Sequence, residues 1–512
     1  MPKFPIVVLA AVLSLSPPVA FSATETVSAD KNGVDKKDDP SKKYEPKTFQ
    51  SDYVGTFGGE RISYRATASE TVLKNDKDED TAAMFTVSYV KKDVGDPRVR
   101  PVTFVFNGGP GSSSLWLHMG VFGPKRIVVP SDGSHAGAAP YRVEENALSI
   151  LDVTDLVFID PIGTGYSKAL GNSKDEEFWG LREDAESIAE FIRIWVTRNG
   201  RWNSPKYIAG ESYGTTRAAR LVAALQGGFN GVSVNGVILL SSILDFHTAD
   251  FGKGNNIPYV GYLPTYAAAA WYHGKVNPRP ESLEAFVAEA RAFAGNEYLV
   301  ALLKGSALKG AERAAVVKKL ARFTGLSETY IEQTDLRIDA FRFMKQLLRD
   351  EGKAIGRLDA RYTGRDYDAA GETFDNDPSA YGIDGAYVAS INDYLTRTLK
   401  VDFDRRYKVL DGAPGSKWKW TEGHGGWATY ANVAPHLGTA MRENSDFRVY
   451  VANGYYDLAT PFHATEITMA DNGIDGSRVT MSYFEGGHMM YTHEPSLTRL
   501  SAEVRAFIKA GR

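Results

Sequence analysis

Three residues whose types together perform acyl transfer fall along the chain in the order Ser, Asp, His. Ser212 lies in Gly210-Glu211-Ser212-Tyr213-Gly214, Asp457 follows Asn453-Gly454-Tyr455-Tyr456, and His488 follows Glu485-Gly486-Gly487. A serine hydroxyl is a weak nucleophile. It needs a base to take its proton and an acid to orient and support that base. The tetrahedral oxyanion also needs backbone donors, and Asn107-Gly108-Gly109-Pro110-Gly111 can offer them, because glycines let a backbone approach a ligand closely. Plainer readings exist. Ser212 could be incidental to a turn, Asp457 could be a turn residue, and His493 could serve as base instead of His488.

The elements around these residues favour the chemical reading. A short apolar strand, Lys206 to Ala209, runs into the serine turn, and a helical pattern follows from Thr216 to Leu225. Gly-x-Ser-x-Gly between a strand and a helix is the nucleophile elbow of an α/β-hydrolase. Strands Arg448 to Ala452 and Val479 to Phe484 precede Asp457 and His488, and strand Val102 to Phe106 precedes the glycine loop. Every candidate therefore sits past a strand's carboxyl end, where open α/β sheets bind ligands. Asp155 to Ile159 and Gly236 to Leu240 read as further strands, and Glu176 to Thr197 as a long amphipathic helix. This alternation predicts an α/β fold with a mostly parallel central sheet and helices on both faces. Upstream, Tyr53 to Tyr64 and Ala83 to Val90 alternate like antiparallel strands, with a charged turn at Lys74 to Asp80. From about Phe246 to Pro435 helical patterns dominate, at Glu281 to Ala294, Ala311 to Phe323, Leu326 to Thr334 and Ala340 to Glu351. The expected organisation is a signal peptide (1–23), a disordered charged tail (24–48), a first core part (49–245), a helical cap insertion (246–435) and a second core part (436–512).

These blocks resemble the serine carboxypeptidases. The resemblance rests on Asn107 to Ser114, on Gly210 to Gly214, on Asp457, on Gly487-His488-Met489 with Pro495 downstream, and on Ile159 to Ser167, which resembles a cleft-lining segment. It implies Ser212 as nucleophile, His488 as base and Asp457 as its orienter. It implies Gly109 and Tyr213 N–H groups as the oxyanion hole, with Asn107, Gly108 and Glu211 binding the carboxylate of a peptide substrate. Two positions depart from the pattern. Ser112 stands where the family has Cys, and Val121 where it has a Glu that pairs with the acid before the nucleophile. Paired carboxyls share a proton because both cannot ionise. Without that partner, an ionised Glu211 would repel a substrate carboxylate, so an esterase or acyltransferase is the alternative expectation. His118 offers a compensating positive charge or simple packing.

Composition sets the remaining bounds. The chain has 512 residues, 43% of them hydrophobic, ample for a large core. A net charge of −4 gives no reason to expect a nucleic-acid partner. With 0 Cys there are no disulfides or thiolate metal sites; eukaryotic members of the family that the chain resembles are typically disulfide-bonded, so the resemblance implies a bacterial-type member. No metal-ligand spacing occurs, and no cofactor is expected. Lys3, the apolar run Ile6 to Leu15 and the small residues Ala20 to Ala23 read as a cleavable secretory signal, implying a secreted or periplasmic protein with no membrane anchor.

Overall fold

The computed structural model describes residues 44–227, 231–421 and 429–511. The signal segment and the charged tail up to Lys43 lie outside the described residues. Tyr44 to Lys47, expected within the tail, are instead tied down. The Tyr44 hydroxyl donates to Glu70 Oε1 (2.6 Å) and the Lys47 N–H to Glu70 Oε2 (3.0 Å).

The main sheet has ten strands. Its path is built from β1 (Thr48–Phe57), β2 (Glu60–Lys74), β3 (Asp80–Lys91), β4 (Val102–Phe106), β5 (Asp155–Ile159), β6 (Lys206–Glu211), β7 (Gly236–Leu240), β8 (Arg448–Gly454) and β9 (Val479–Phe484). The spatial order is β1-β2-β3-β5-β4-β6-β7-β8-β9, and the short strand Lys168–Ala169 pairs with β3. β1 to β3 are antiparallel, and β3 meets β5 antiparallel. From β5 to β9 every pairing is parallel. β4 to β7 are apolar-rich and buried along their whole length, as strands covered on both faces must be.

Three helices cover one face: α1 (Leu181–Arg198), α2 (Tyr213–Gln226) and, later in the chain, Ala434–Glu443; their apolar residues share a cluster with Phe104, Val157, Ile208 and Leu239. The opposite face packs on the C-terminal helix Glu494–Ala510 through Leu497, Leu500 and Val504. Two local expectations change. The alternating stretch Tyr53 to Tyr64 is not one strand but a hairpin, broken at Gly58-Gly59, whose φ values of 55° and 84° suit its two-residue turn. The helix expected from Glu176 starts at Leu181. Asp175–Phe178 form a separate 3₁₀ turn, leaving Trp179 and Gly180 between them.

Between β7 and the Ala434 helix the chain builds a second, largely helical cluster. α3 (Ile257–Tyr272) is its buried axis, packed by α4 (Leu283–Phe293), α5 (Gly310–Thr324) and Phe343, Leu347 and Ile355. That cluster also takes in Tyr455, Tyr456, Leu458 and Phe462, which follow β8. The aromatics of α3 therefore pack rather than line an open cleft.

Candidate active site

Ser212 joins β6 to α2 at φ 60° and ψ −131°, a left-sided backbone conformation uncommon for a residue with a Cβ. The glycines around it are required sterically. A Cβ on Gly210 would collide with the Gly214 carbonyl, and one on Gly214 would stand 3.0 Å from the Asn107 carbonyl oxygen. Gly108 has the same constraint: its Cβ would lie 2.5 Å from Tyr213 N. The glycine loop after β4 is thereby pressed against the N-terminus of α2. Tyr213 N–H lies in the first turn of that helix, where amide groups lack intrahelical acceptors and the dipole favours negative charge. Gly109 is exposed and Ser212 half-exposed, so the two open toward solvent together.

Asp457 is fully buried. Its Oδ1 accepts the N–H groups of Ala459 (2.8 Å) and Thr460 (2.9 Å), and its Oδ2 accepts the Thr460 hydroxyl (2.8 Å). His488 Nδ1 completes the set at 2.9 Å from Oδ2. That bond assigns the ring proton to Nδ1 and leaves Nε2 as the basic nitrogen. Burial disfavours a charged His488, but the Asp457 carboxylate outweighs it, so its pKa is raised overall. No hydrogen bond from Ser212 Oγ to His488 forms among the described residues, and such contacts are often loose before substrate arrives.

Neighbouring strand ends stitch these loops together. Ser212 N–H donates to the Leu240 carbonyl (3.0 Å) and Ser241 N–H to the Ala452 carbonyl (2.9 Å). The Ser241 hydroxyl then reaches the His488 carbonyl (2.6 Å). His493 sits elsewhere, at the start of the C-terminal helix with its Nδ1 2.8 Å from Ser496 Oγ.

Beside Ser212, Asn107 Nδ2 donates to Glu211 Oε1 (2.9 Å), and Asn107 Oδ1 accepts the Leu117 N–H (3.0 Å). Glu211 Oε2 is buried without a hydrogen-bond partner. Burial, opposed by His488 and reinforced by Asp457, pushes the Glu211 carboxyl up to about 7. Val121 is buried in the same apolar cluster as Tyr387 and Tyr491, two hydroxyls that the Glu211 charge raises further. His118 supplies no compensating charge. It stacks on Phe158, bonds the Tyr89 hydroxyl through Nε2 (2.6 Å), and burial pulls its pKa down to about 3. Ser112 keeps its hydroxyl on the Ser113 carbonyl (2.9 Å). Within Ile159 to Ser167, Asp160 is a brace: its Oδ1 accepts the Ser114 N–H (2.9 Å) and hydroxyl (3.0 Å).

Several contributors escape a reading of motifs. Thr460 holds the Asp457 carboxylate. Arg217 on α2, buried against Asp184 of α1 (2.6 Å), donates to the Asn107 carbonyl and so fixes the glycine loop. An Arg set among the small and apolar residues of that helix was the available signal. Among the described residues no cluster of His, Asp or Glu suits a metal ion, and no helix is long and apolar enough to cross a membrane.

Comparison with known proteins places the similarity in the part that carries Ser212. Residues 71–248 match the family model described as serine carboxypeptidase. Serine-type carboxypeptidase F of Aspergillus niger is 32% identical over 121 residues, 23% of this chain and 20% of that protein. Serine carboxypeptidase-like 16 of Arabidopsis thaliana is 27% identical over 192 residues, 36% of this chain and 41% of that one. The matches thus span less than half of these relatives' length. Among solved structures, Kex1(delta)p of Saccharomyces cerevisiae, a prohormone-processing carboxypeptidase, superposes with a TM-score of 0.53 at 16% identity, covering 87% of this chain and 91% of that one. Asp457 and His488 fall outside the segment matched by the family. The fold is that of an α/β-hydrolase, and the family to which residues 71–248, with Ser212 among them, are similar is the serine carboxypeptidases.

Proposed function

We propose that this protein is a serine carboxypeptidase that removes C-terminal residues from peptides through an acyl-enzyme on Ser212. The observation that carries the reading is the Asp457–His488 pair, seated on strand ends next to the elbow that holds Ser212. Ser212 Oγ attacks the carbonyl of the last peptide bond as His488 Nε2 takes its proton. Gly109 and Tyr213 N–H groups receive the oxyanion. His488 returns the proton to the leaving amine, and the C-terminal residue departs. Water then attacks the ester with His488 again as base, restoring Ser212.

Specificity for a free C-terminus is assigned to Asn107, the Gly108 backbone and Glu211. A carboxyl raised to about 7 by burial is mostly protonated in mildly acid solution, where it donates a hydrogen bond to the substrate carboxylate. Burial thus does what a second carboxyl would do at position 121. The competing reading, an esterase or acyltransferase using the same acyl-enzyme, draws on Val121 alone. Incubation with blocked dipeptides, matched peptide amides and esters from pH 4 to 8 separates the two. Release of the terminal residue from free-acid dipeptides, faster than from amides below pH 7, is the expected result. Turnover of esters alone would establish the alternative.

Secretion to the periplasm or medium, and a bacterial origin, belong to the same proposal. They rest on the Ile6 to Leu15 run and on the lack of Cys. A mature N-terminus near Ala23 or Thr24 is expected from N-terminal sequencing, and an intact Met1 on the purified protein would overturn the assignment.

A further inference from the structure

The loops that carry Asp457 and His488 do not touch only each other. A short segment of the helical insertion, Arg357 to Ala360, runs between them and bonds both. The Leu458 N–H donates to the Arg357 carbonyl (3.0 Å), and the Ala360 N–H donates to the Tyr456 carbonyl (2.9 Å). These two bonds bracket Asp457 from either side. On the other loop the His488 N–H donates to the Leu358 carbonyl (2.5 Å), and the Gly487 N–H donates to Asp359 Oδ2 (3.0 Å). The fit leaves no slack. A Cβ on Gly487 would collide with the Leu358 carbonyl and with Asp359.

The segment is itself anchored from behind. The Asp377 carboxylate accepts the N–H groups of Arg357 (3.0 Å) and Leu358 (3.3 Å), and the Ser379 hydroxyl accepts the latter as well (3.0 Å). His273, following α3, bonds the Ala360 carbonyl through Nε2 (2.6 Å). Arg361 pairs with Asp359 (2.7 Å) and donates to the Ser131 carbonyl (3.1 Å). Every fixed point behind the segment except Ser131 belongs to the insertion, and every bond in front of it ends on a catalytic loop.

We propose that Arg357 to Ala360 form a positioning strap, through which the insertion sets the distance and angle between Asp457 and His488. The bonds given above join the strap to the backbone of the two loops rather than to the His488 ring or the Asp457 carboxylate. The strap acts by holding two loops that come from different strand ends, and it rests on the Ser212–His488–Asp457 reading above. An error of about 1 Å in such a frame costs on the order of 10²-fold in rate.

The test removes the Asp359 carboxylate in two ways. Asp359→Ala alone strands the buried Arg361, so the informative variant is the double Asp359→Ala/Arg361→Met, which removes both charges. Asp359→Asn/Arg361→Met removes the same two charges but retains an acceptor for the Gly487 N–H. The expected result is an Asp359→Ala/Arg361→Met variant with wild-type melting temperature and KM within about twofold, but kcat lowered roughly 10- to 100-fold. Asp359→Asn/Arg361→Met recovers part of that loss. The downfield proton resonance of the Asp457–His488 bond should shift or broaden in Asp359→Ala/Arg361→Met and return toward its wild-type position in Asp359→Asn/Arg361→Met. An Asp359→Ala/Arg361→Met variant with wild-type kcat and an unchanged resonance would overturn the strap. A wild-type protein that turns over no acyl substrate would overturn the hydrolase reading instead, while the resonance would still report whether the strap sets the pair.

Discussion

The sheet and the insertion hold the same site by different means. On the sheet side, Ser212, Asp457 and His488 each stand just past the end of a parallel strand, and covalent connection fixes them. On the insertion side no residue of the proposed triad is present, and the hold is exerted by backbone contacts and by the Asp359 carboxylate. Besides the strap, Ser113 N–H donates to the Val409 carbonyl (3.0 Å) and Asp411 N–H to the Gly111 carbonyl (3.0 Å), which grips the glycine loop. In the proposed site the sheet therefore carries the reacting groups, whereas the insertion constrains their placement. Substitutions on the sheet side should abolish chemistry, and those on the insertion side should scale it.

The sharpest break of that contrast is Ser212→Ala, expected to lower turnover by roughly 10⁴–10⁶-fold with the fold intact. A fluorophosphonate probe should label wild type at Ser212 alone; labelling of the variant would reject the assignment. His488→Ala should fall nearly as far, whereas His493→Ala should keep activity within a few-fold, since its ring faces Ser496. Steady-state kinetics on both variants decides between the two histidines. Next in size is a stability effect. Arg217→Met leaves Asp184 buried and unpaired, at about 3–5 kcal/mol, read by urea denaturation. Adding Asp184→Leu should return most of it.

On the insertion side, Gly111→Ala places a Cβ against the Asp411 carbonyl at φ 113°, prising the glycine loop from its grip. About tenfold slower probe labelling is expected, not its loss. Complete loss would erase the distinction between the two regions. The smallest effect is on pH. Glu211 donates while protonated, so preference for free C-termini over amides should be full well below pH 7 and fade as pH rises through about 7. Glu211→Gln, a donor at every pH, should flatten that decline. Val121→Glu should raise the preference at low pH; a ratio unchanged in both variants would show that Asn107 and backbone donors suffice.

What could be read from the chain was whatever is local. Strand, tight turn and helix lie within one window around Ser212, and Asp457 and His488 each follow their own strand directly. The glycines at 108, 210 and 214 were legible for the same reason. What could not be read is which separate segments meet. Gly356-Arg357-Leu358-Asp359 looks like any charged loop until the two strand ends are packed against it. Thr460 becomes visible only as a donor to a carboxylate whose orientation the fold decides. The surroundings of Glu211 include Tyr387 and Tyr491, contributed by distant parts of the chain. The hairpin at Gly58-Gly59 is marked in the sequence after all: Gly58, Gly59, Glu60 and Arg61 break the alternation between buried Phe57 and Ile62, and a Gly-Gly pair suits a two-residue turn.

The position of β8 and β9 has a consequence in time. They come last of the sheet strands in the chain and close its edge beyond β7, while β6 with its serine is an inner strand made much earlier. On the proposed assignment, a chain synthesised as far as the insertion has its nucleophile but neither base nor acid. Catalytic competence would then arise with the docking of the final two strands, and a growing chain would carry an elbow that cannot yet cleave its neighbours or itself.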